Sequence, residues 1–382
     1  MIGRMASYPA LYSPLFENQR QRFDPVYALL EAAVEGRVFP GCTFGVLETN
    51  RAGYPQIVLL DGVGRQTYGP ESPAVEPHTI YDLASLTKVI ATTAMAMLLY
   101  QRKQLVLDLP VADVLPGFAC EQEGRSLVTI RHLLAHNSGL AGYARLFETH
   151  ATAEGLFNAC LCMPLEAVPG TRAEYSDIGF ILLGRLLEVT AGEPIESFCE
   201  REIFGPLGMR STGFRPASEL KNLIPPTEDD QSFRHRVIQG EVQDENCWVL
   251  GGVGGHAGLF GNALDILKFS LAVLSPASNQ LFEPETLSLF ASRVNEPAGS
   301  SRALGWDTPS APSSSGVLFS TDSIGHLGYA GTSLWIDREA GCAVVLLSNR
   351  TWPTRENQKI KDLRPVFHDA VRKLVLPARA SA

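Results

Sequence analysis

Cysteine is scarce and unpatterned in this chain of 382 residues: seven thiols, Cys42, Cys120, Cys160, Cys162, Cys199, Cys247 and Cys342, with no Cys-x-x-Cys. An odd, scattered set excludes a disulfide framework and reads as reduced, mostly buried thiols. Long apolar runs are missing as well. The most apolar segment, VIATTAMAMLLY, is about a dozen residues, too short to span a bilayer. The opening MIGRMASYPALYSPLFENQRQRFD has no apolar h-region and no cleavage pattern, so no signal peptide is expected. Reduced thiols and a missing export signal lead to the expectation of a cytoplasmic protein. Positive charge is in deficit, with 32 Lys and Arg against 41 Asp and Glu for a net charge of -9, which speaks against a nucleic-acid partner. No repeat or low-complexity tract stands out. A Gly-x-Ser-x-Gly elbow is absent, which argues against an α/β-hydrolase.

What remains is an ordinary globular composition, 45% hydrophobic and 19% charged, sufficient for one large or two modest cores. FDPVYALLEAAVEG places Val26, Leu29, Leu30 and Val34 on one helical face. CTFGVLET and QIVLLDGVG read as strands around the turn-rich NRAGYP. From Ser85 to about Ser300 the pattern is mostly helix and loop. The spacing predicts helices over 85–104, over a short stretch of TIRHLLAHNSG, over 176–192 ended by Gly192, and over 262–274 with Asn262 as N-cap. GTSLWID and CAVVLLSN, joined by REAG, read as a hairpin. A last helix covers ENQKIKDLRPVFHDAVRKLVL, bent near Pro365, with Ile360, Leu363, Val366, Phe367 and Val371 as its apolar stripe. The expectation is an α+β fold: an antiparallel sheet from both chain ends (20–78 and 301–382) flanked by terminal helices, with a mainly helical lobe (79–300) inserted, forming one catalytic module.

IYDLASLTKVI puts Ser85 and Lys88 three residues apart where an apolar helix begins. Asp82 can cap that helix, so Ser85 falls in its first turn, where free N–H groups and the helix dipole favour a developing anion. Lys88 lies on the same face. Desolvation there would lower its pKa and make it a usable base; the competing reading is a lysine that snorkels to water from a core helix. A second Ser-x-x-Lys, Ser218 to Lys221, sits in a proline-flanked polar stretch and reads as a solvated loop. AEYSDIGF offers Tyr175 and Asp177 at a loop-to-helix junction, and a lysine cation nearby would ease loss of the Tyr175 proton. GHLGYAGTSLWID offers His326, Leu327 and Gly328 leading into a strand, the glycine allowing close backbone approach to a substrate.

These pieces, in this order, resemble the penicillin-recognising serine hydrolases: class C β-lactamases, D-Ala-D-Ala carboxypeptidases and related esterases. That family carries Ser-x-x-Lys at a helix start, Tyr-x-Asn on a loop and Lys/His-Thr-Gly on the strand beside the nucleophile. HLLAHNSGL, GGVGGHAGLFG and GTSLWIDREAGCAVVLLSNR are similar to it as well, so the resemblance runs from about residue 25 to 372. It implies the β-lactamase/transpeptidase-like fold and an acyl-enzyme at Ser85. Lys88 and Tyr175 would manage the proton, and the backbone N–H groups of Ser85 and Tyr329 would hold the oxyanion. His256 would lie near the site. No metal and no organic cofactor are implied. The partner is a small ester or amide, and the oligomeric state stays open. Two coupled groups titrate as a pair, so whether Lys88 or Tyr175 is the base is not decided by sequence.

Two departures shift the expected substrate. Asp177 stands where the family has asparagine; a carboxylate accepts hydrogen bonds but cannot donate one to an acyl-amide oxygen. It would hold Lys88 as a cation, leaving Tyr175 to carry the proton, or else merely cap the following helix. His326 and Leu327 stand where the family has a lysine or histidine and a threonine, and a neutral histidine grips a carboxylate poorly. Both favour ester hydrolysis over β-lactamase or carboxypeptidase action, the alternatives being those two activities or a penicillin-binding sensor acylated without turnover. His132 and His136 have zinc-pair spacing but lack the intervening glutamate, so they read as packing residues. Trp248, Trp306 and Trp335 could line a pocket or fill core.

Overall fold

A computed structural model describes residues 11–14, 16–118, 123–276 and 281–375, and Cys120 lies outside them. Its centre is a five-stranded antiparallel sheet in the order β2-β1-β10-β9-β8. Two strands come from the N-terminal end, β1 (Gly41–Thr49) and β2 (Pro55–Gly64); three come from the C-terminal end, β8 (Ser323–Leu327), β9 (Ser333–Asp337) and β10 (Cys342–Ser348). The seam joining the two ends is β1 against β10, with Cys42 opposite Ser348 and Phe44 opposite Leu346. Between them in the chain lie two minor sheets, β3 (Tyr81–Asp82) with β7 (Leu259–Gly261) and β4 (Gly213–Phe214), and the hairpin of β5 (Glu228–Asp230) and β6 (Arg236–Ile238).

Strand side chains alternate between faces, and here each face is buried in its own core. Phe44, Val46, Trp335, Val344 and Leu346 point into the cluster shared with α1 (Asp24–Glu35) and the last helix. Leu47, Leu334, Ile336, Val345 and Leu347 point into a larger cluster that continues without a break into the helical middle of the chain. The helix α4 (Ala263–Leu274) packs against β1 and β10 on that side, with Asn262 accepting the Asp265 N–H at its start as the sequence predicts. Trp306 and Trp335 are core, 1% exposed each, while Trp248 is 40% exposed and lies outside the main cleft.

Three local readings change. The single helix predicted over 85–104 is a 3-10 turn (Ala84–Leu86), a π-helix (Lys88–Thr93) and α2 (Ala94–Gln101). Threonine hydroxyls compete with the helical ladder there: Thr87 bonds to the Ala84 carbonyl at 2.6 Å and Thr92 to the Gly255 carbonyl at 2.6 Å. Residues 218–223, read as a loop, form an exposed 3-10 helix. The last helix, α5 (Ile360–Arg372), starts four residues later than expected and runs on through Pro365. Ile360, Leu363, Phe367 and Val371 hold it against the sheet, whereas Val366, assigned to that stripe, is 53% exposed.

The long helix α3 (Asp177–Ala191) ends at Gly192 with φ of 73°. It approaches GGVGGHAGLFG so closely that a methyl group on Gly255 would lie 2.2 Å from the Phe180 carbonyl oxygen. The glycine-rich stretch is therefore a packing seam. Gly255→Ala should destabilise the fold by about 2 kcal/mol, as overpacked cores do, read as a lower midpoint in urea denaturation.

Candidate active site

Four polar contacts clamp the turn that presents Ser85. Asp82, buried at the end of β3, accepts the N–H of Ala84 and the N–H of Gln243, both at 2.8 Å. Burial pushes its carboxyl up to about 6 although both N–H bonds favour the anion. The Thr87 hydroxyl accepts the Leu259 N–H at 3.1 Å, and the Thr332 hydroxyl donates to the Leu83 carbonyl at 3.0 Å. Ala84 itself has φ of 48°, a left-handed conformation that costs a non-glycine residue. The strain is borne one residue before Ser85, which is partly exposed.

Lys88 has no exposure at all, so it does not snorkel. Its ammonium bonds to Ser85 Oγ at 3.1 Å, Asp177 Oδ1 at 2.6 Å and the His256 carbonyl at 2.9 Å. Those contacts account for all the donors an ammonium has. Burial alone would push its pKa down, but Asp177 and Tyr175 outweigh it and the net shift is upward. Of the two readings of Lys88, a desolvated base and a cation held by Asp177, these contacts favour the cation. Asp177 is free for this contact because Ser176 is the N-cap, accepting the Gly179 N–H at 2.9 Å.

Tyr175 lies with its ring face 4.8 Å from Lys88 Nζ. It also packs at a tilt against His136, centroids 4.7 Å apart, and His136 in turn stacks on Phe180 at 4.8 Å. The Ser176 N–H donates to His136 Nδ1 at 2.9 Å, which ties the histidine to the tyrosine's own loop. The Tyr175 hydroxyl is buried with no partner in hydrogen-bond geometry, yet near enough to Lys88 and Ser85 for both to favour its phenolate. Burial is the stronger influence, and the net shift of the phenol is upward. The lysine acts in the direction the sequence predicts but does not prevail.

β8 brings up the opposite wall. His326 is buried 5.7 Å from the Tyr175 ring, its Nδ1 against the Leu327 carbonyl at 2.8 Å. Burial first, then the Lys88 and Arg302 cations, push its pKa down to about 3, so it is neutral. The close approach allowed by Gly328 turns out to be internal: a methyl group there would lie 1.9 Å from Thr332 Oγ1 and 2.6 Å from the Leu83 carbonyl. That contact seats β8 against the nucleophile turn. Tyr329 follows at the rim, 50% exposed. His256 reaches the site through its carbonyl, while its ring Nε2 meets Asp244 at 2.9 Å. Ser85, Tyr175, Asp177, His256, His326 and Tyr329 all line one cleft of about 640 Å³.

The family model described as Beta-lactamase matches residues 28–365. The chain belongs to the Beta-lactamase family. It is 33% identical over 315 residues to "Putative D-alanyl-D-alanine carboxypeptidase" of Escherichia coli (strain K12), which covers 74% of this chain and 71% of that protein. The protein of the same name from Salmonella typhimurium is 32% identical over 317 residues, with 74% and 72% covered. Among solved structures, EstCE1, a hydrolase with promiscuous acyltransferase activity, superposes with a TM-score of 0.70 at 21% identity, covering 91% of this chain and 100% of that one. Simvastatin synthase (LovD) from Aspergillus terreus gives 0.68 at 20% identity, with 92% and 98% covered. At such identities these two neighbours show the fold, β-lactamase/transpeptidase-like and α+β. Family and relatives make the chain a serine hydrolase.

In this Beta-lactamase-family cleft several residues escape sequence reasoning. Arg302 lies 5.5 Å over the Tyr175 ring and pairs with Asp307 at 3.7 Å; Asp244, Arg350 and Arg364 also line the cavity. Arg302, Asp244 and Arg364 stand in no local motif, and Arg350 closes the phrase GTSLWIDREAGCAVVLLSNR. His136 had a signal, the phrase HLLAHNSGL, but was read as packing alone. Its spacing partner His132 caps a helix instead, Nδ1 accepting the Thr129 N–H at 3.1 Å. Among the described residues no group of three or more His, Cys, Asp or Glu is placed to hold a metal, and no helix is long and apolar enough to cross a membrane.

Buried neutral histidines make the protein acid-sensitive. His326 and His368 are each held down to about 3 by burial. In the unfolded chain they take up protons below about 6.5, so their stability contribution is full above that value and is lost as pH falls toward 3. On going from pH 7.5 to 5.0, urea denaturation should show His326→Gln losing less stability than the wild type, by on the order of 2 kcal/mol.

Proposed function

We propose that the protein hydrolyses esters through an acyl-enzyme on Ser85, with Tyr175 carrying the proton and Lys88 as a permanent cation. The observation that carries this reading is the triple acceptance around Lys88, by Ser85, Asp177 and the His256 carbonyl. An ammonium with every N–H engaged has no lone pair to offer a serine proton. Tyr175 is the remaining titratable oxygen beside Ser85, and its unpartnered hydroxyl suits a group awaiting substrate or water.

In this scheme Ser85 Oγ attacks the ester carbonyl carbon while its proton passes to the Tyr175 phenolate. The tetrahedral oxyanion is held by the backbone N–H groups of Ser85 and Tyr329. Collapse breaks the bond to the alkoxide, which takes the proton from Tyr175. A water molecule then attacks the acyl carbonyl, giving its proton to Tyr175, and Ser85 leaves reprotonated. Lys88 stabilises phenolate and alkoxide without itself changing charge.

Ester preference rests on two features. Asp177 Oδ1 is committed to Lys88, and a carboxylate has no N–H for an amide-bearing acyl chain. His326 is neutral, so the strand offers no cation to a terminal carboxylate. The names of the curated relatives favour D-Ala-D-Ala carboxypeptidase action as the second reading.

A fluorophosphonate probe should modify Ser85, located by mass spectrometry, with Ser85→Ala unlabelled. Simple p-nitrophenyl esters should turn over faster than penicillin or D-Ala-D-Ala peptides; equal or faster peptide release would move the assignment to the carboxypeptidase. A penicillin adduct that persists, with no ester turnover, would instead identify a sensor. Tyr175→Phe should lower kcat by about 10²- to 10⁴-fold, the range for a lost proton carrier.

The pH profile follows from the raised Tyr175 phenol. The reactive phenolate is a minor form at neutral pH and grows as pH rises. kcat/KM for an uncharged ester, corrected for background hydrolysis, should therefore climb from pH 7 to 9 by up to about tenfold per unit. A flat profile would speak against Tyr175 as base.

A further inference from the structure

The turn after β8 is held by guanidinium groups. Arg364 on α5, 6% exposed, donates from Nη2 to the Gly328 carbonyl and the Thr332 carbonyl, each at 2.8 Å. Arg350, 4% exposed, donates from Nε to the Tyr329 carbonyl at 2.8 Å, and its backbone N–H donates to the Ala330 carbonyl at 2.8 Å. The Arg350 Nη1 is anchored by the Arg355 and Asn357 carbonyls at 2.9 and 2.7 Å. Among the described residues neither Arg350 nor Arg364 forms a salt bridge to a carboxylate. Arg364 Nε is buried without a partner.

Two desolvated cations side by side are a costly way to fasten a turn. Burial works against the Arg364 charge, and so does the Arg350 cation. A neutral side chain could satisfy two carbonyls; what an arginine adds is a field. The Gly328–Tyr329 peptide is trans, since the cis bonds of the described residues are all X-Pro at other sites. In a trans peptide the C=O and N–H point in opposite directions across one rigid plane. The groups bonded to Gly328 O, the Arg364 guanidinium at 2.8 Å and the Gly331 N–H at 3.1 Å, therefore set where the Tyr329 N–H points. A cation on that oxygen also draws electron density out of the amide and strengthens its N–H as a donor.

We propose that Arg364 is a positioning residue for the oxyanion: it fixes and polarises the Gly328–Tyr329 peptide so that the Tyr329 N–H meets the charge that develops on the substrate oxygen, with Arg350 bracing the next carbonyl. This rests on the acyl-enzyme reading above and adds to it the origin of the second donor's orientation.

The test compares wild type, Arg364→Met and Arg364→Lys on a neutral p-nitrophenyl ester, with an arylboronic acid as mimic of the tetrahedral anion. Circular dichroism and complete fluorophosphonate labelling of Ser85 certify the fold. The Met variant should lose about tenfold or more in kcat, up to the roughly 10²- to 10³-fold cost of removing an oxyanion donor outright, with KM unchanged within about threefold. Boronate affinity should fall by the same factor as kcat/KM. The Lys variant, which keeps the charge and one carbonyl contact, should recover part of both losses. If the Met variant does not fold, the Lys variant carries the comparison, and a kcat and boronate affinity equal to wild type would overturn the proposal. So would a folded Met variant with wild-type kcat, or one whose entire loss lies in KM, which would make Arg364 a substrate-binding group. An unlabelled, inactive wild type would defeat the hydrolase reading and this inference together; an active wild type with an equally active Met variant defeats this inference alone.

Discussion

A single buried ammonium organises this molecule. Lys88 is enclosed on every side, and an unpaired charge in such a place would be prohibitive. The fold answers with one acceptor from each of three segments: the nucleophile turn, the N-terminus of α3, and the glycine-rich stretch before β7. Each must arrive within hydrogen-bond distance or the cation is stranded. The close seam at Gly184 and Gly255 is what brings the His256 carbonyl within reach, and Ser176 takes the capping duty that would otherwise occupy Asp177. The polar demand of one lysine thus sets the relative placement of elements far apart in the chain.

Around that charge the site sorts its titratable groups by burial. Tyr175 and His326 are both removed from water and both driven toward their neutral forms. Lys88 is kept charged, because Asp177 and Tyr175 offset its desolvation. A neutral imidazole, a neutral phenol and a buried cation make an asymmetric environment, which supports the proposal that the phenol exchanges a proton with Ser85.

Much of this was legible in the sequence, for a physical reason. Strands betray themselves by apolar alternation and helices by caps, so β1, β2, β9, β10, α3 and α4 are read nearly to the residue. Ser85 and Lys88 are neighbours on one helical turn, and Tyr175 and Asp177 flank one helix start, so local spacing exposes both pairs. What failed to show are couplings between segments some tens of residues apart. Nothing near Arg364 announces that it reaches Gly328, and the phrase around His136 marks a site without naming Tyr175 as the ring it packs against. The π-helical stretch was missed because an α-helix and a π-helix share the same run of apolar residues, and the tertiary bond from Thr92 to the Gly255 carbonyl leaves no mark on periodicity. Val366 was misplaced because a helix stripe is narrower than its apolar residues suggest.

The pairing of β1 with β10 has a temporal corollary. Residues near Cys42 leave the ribosome well before their partners near Ser348. Until then one edge of β1 is an open row of amide and carbonyl groups, the kind of surface that invites aggregation. The central sheet cannot close until residues 323–348 have been synthesised, long after β1.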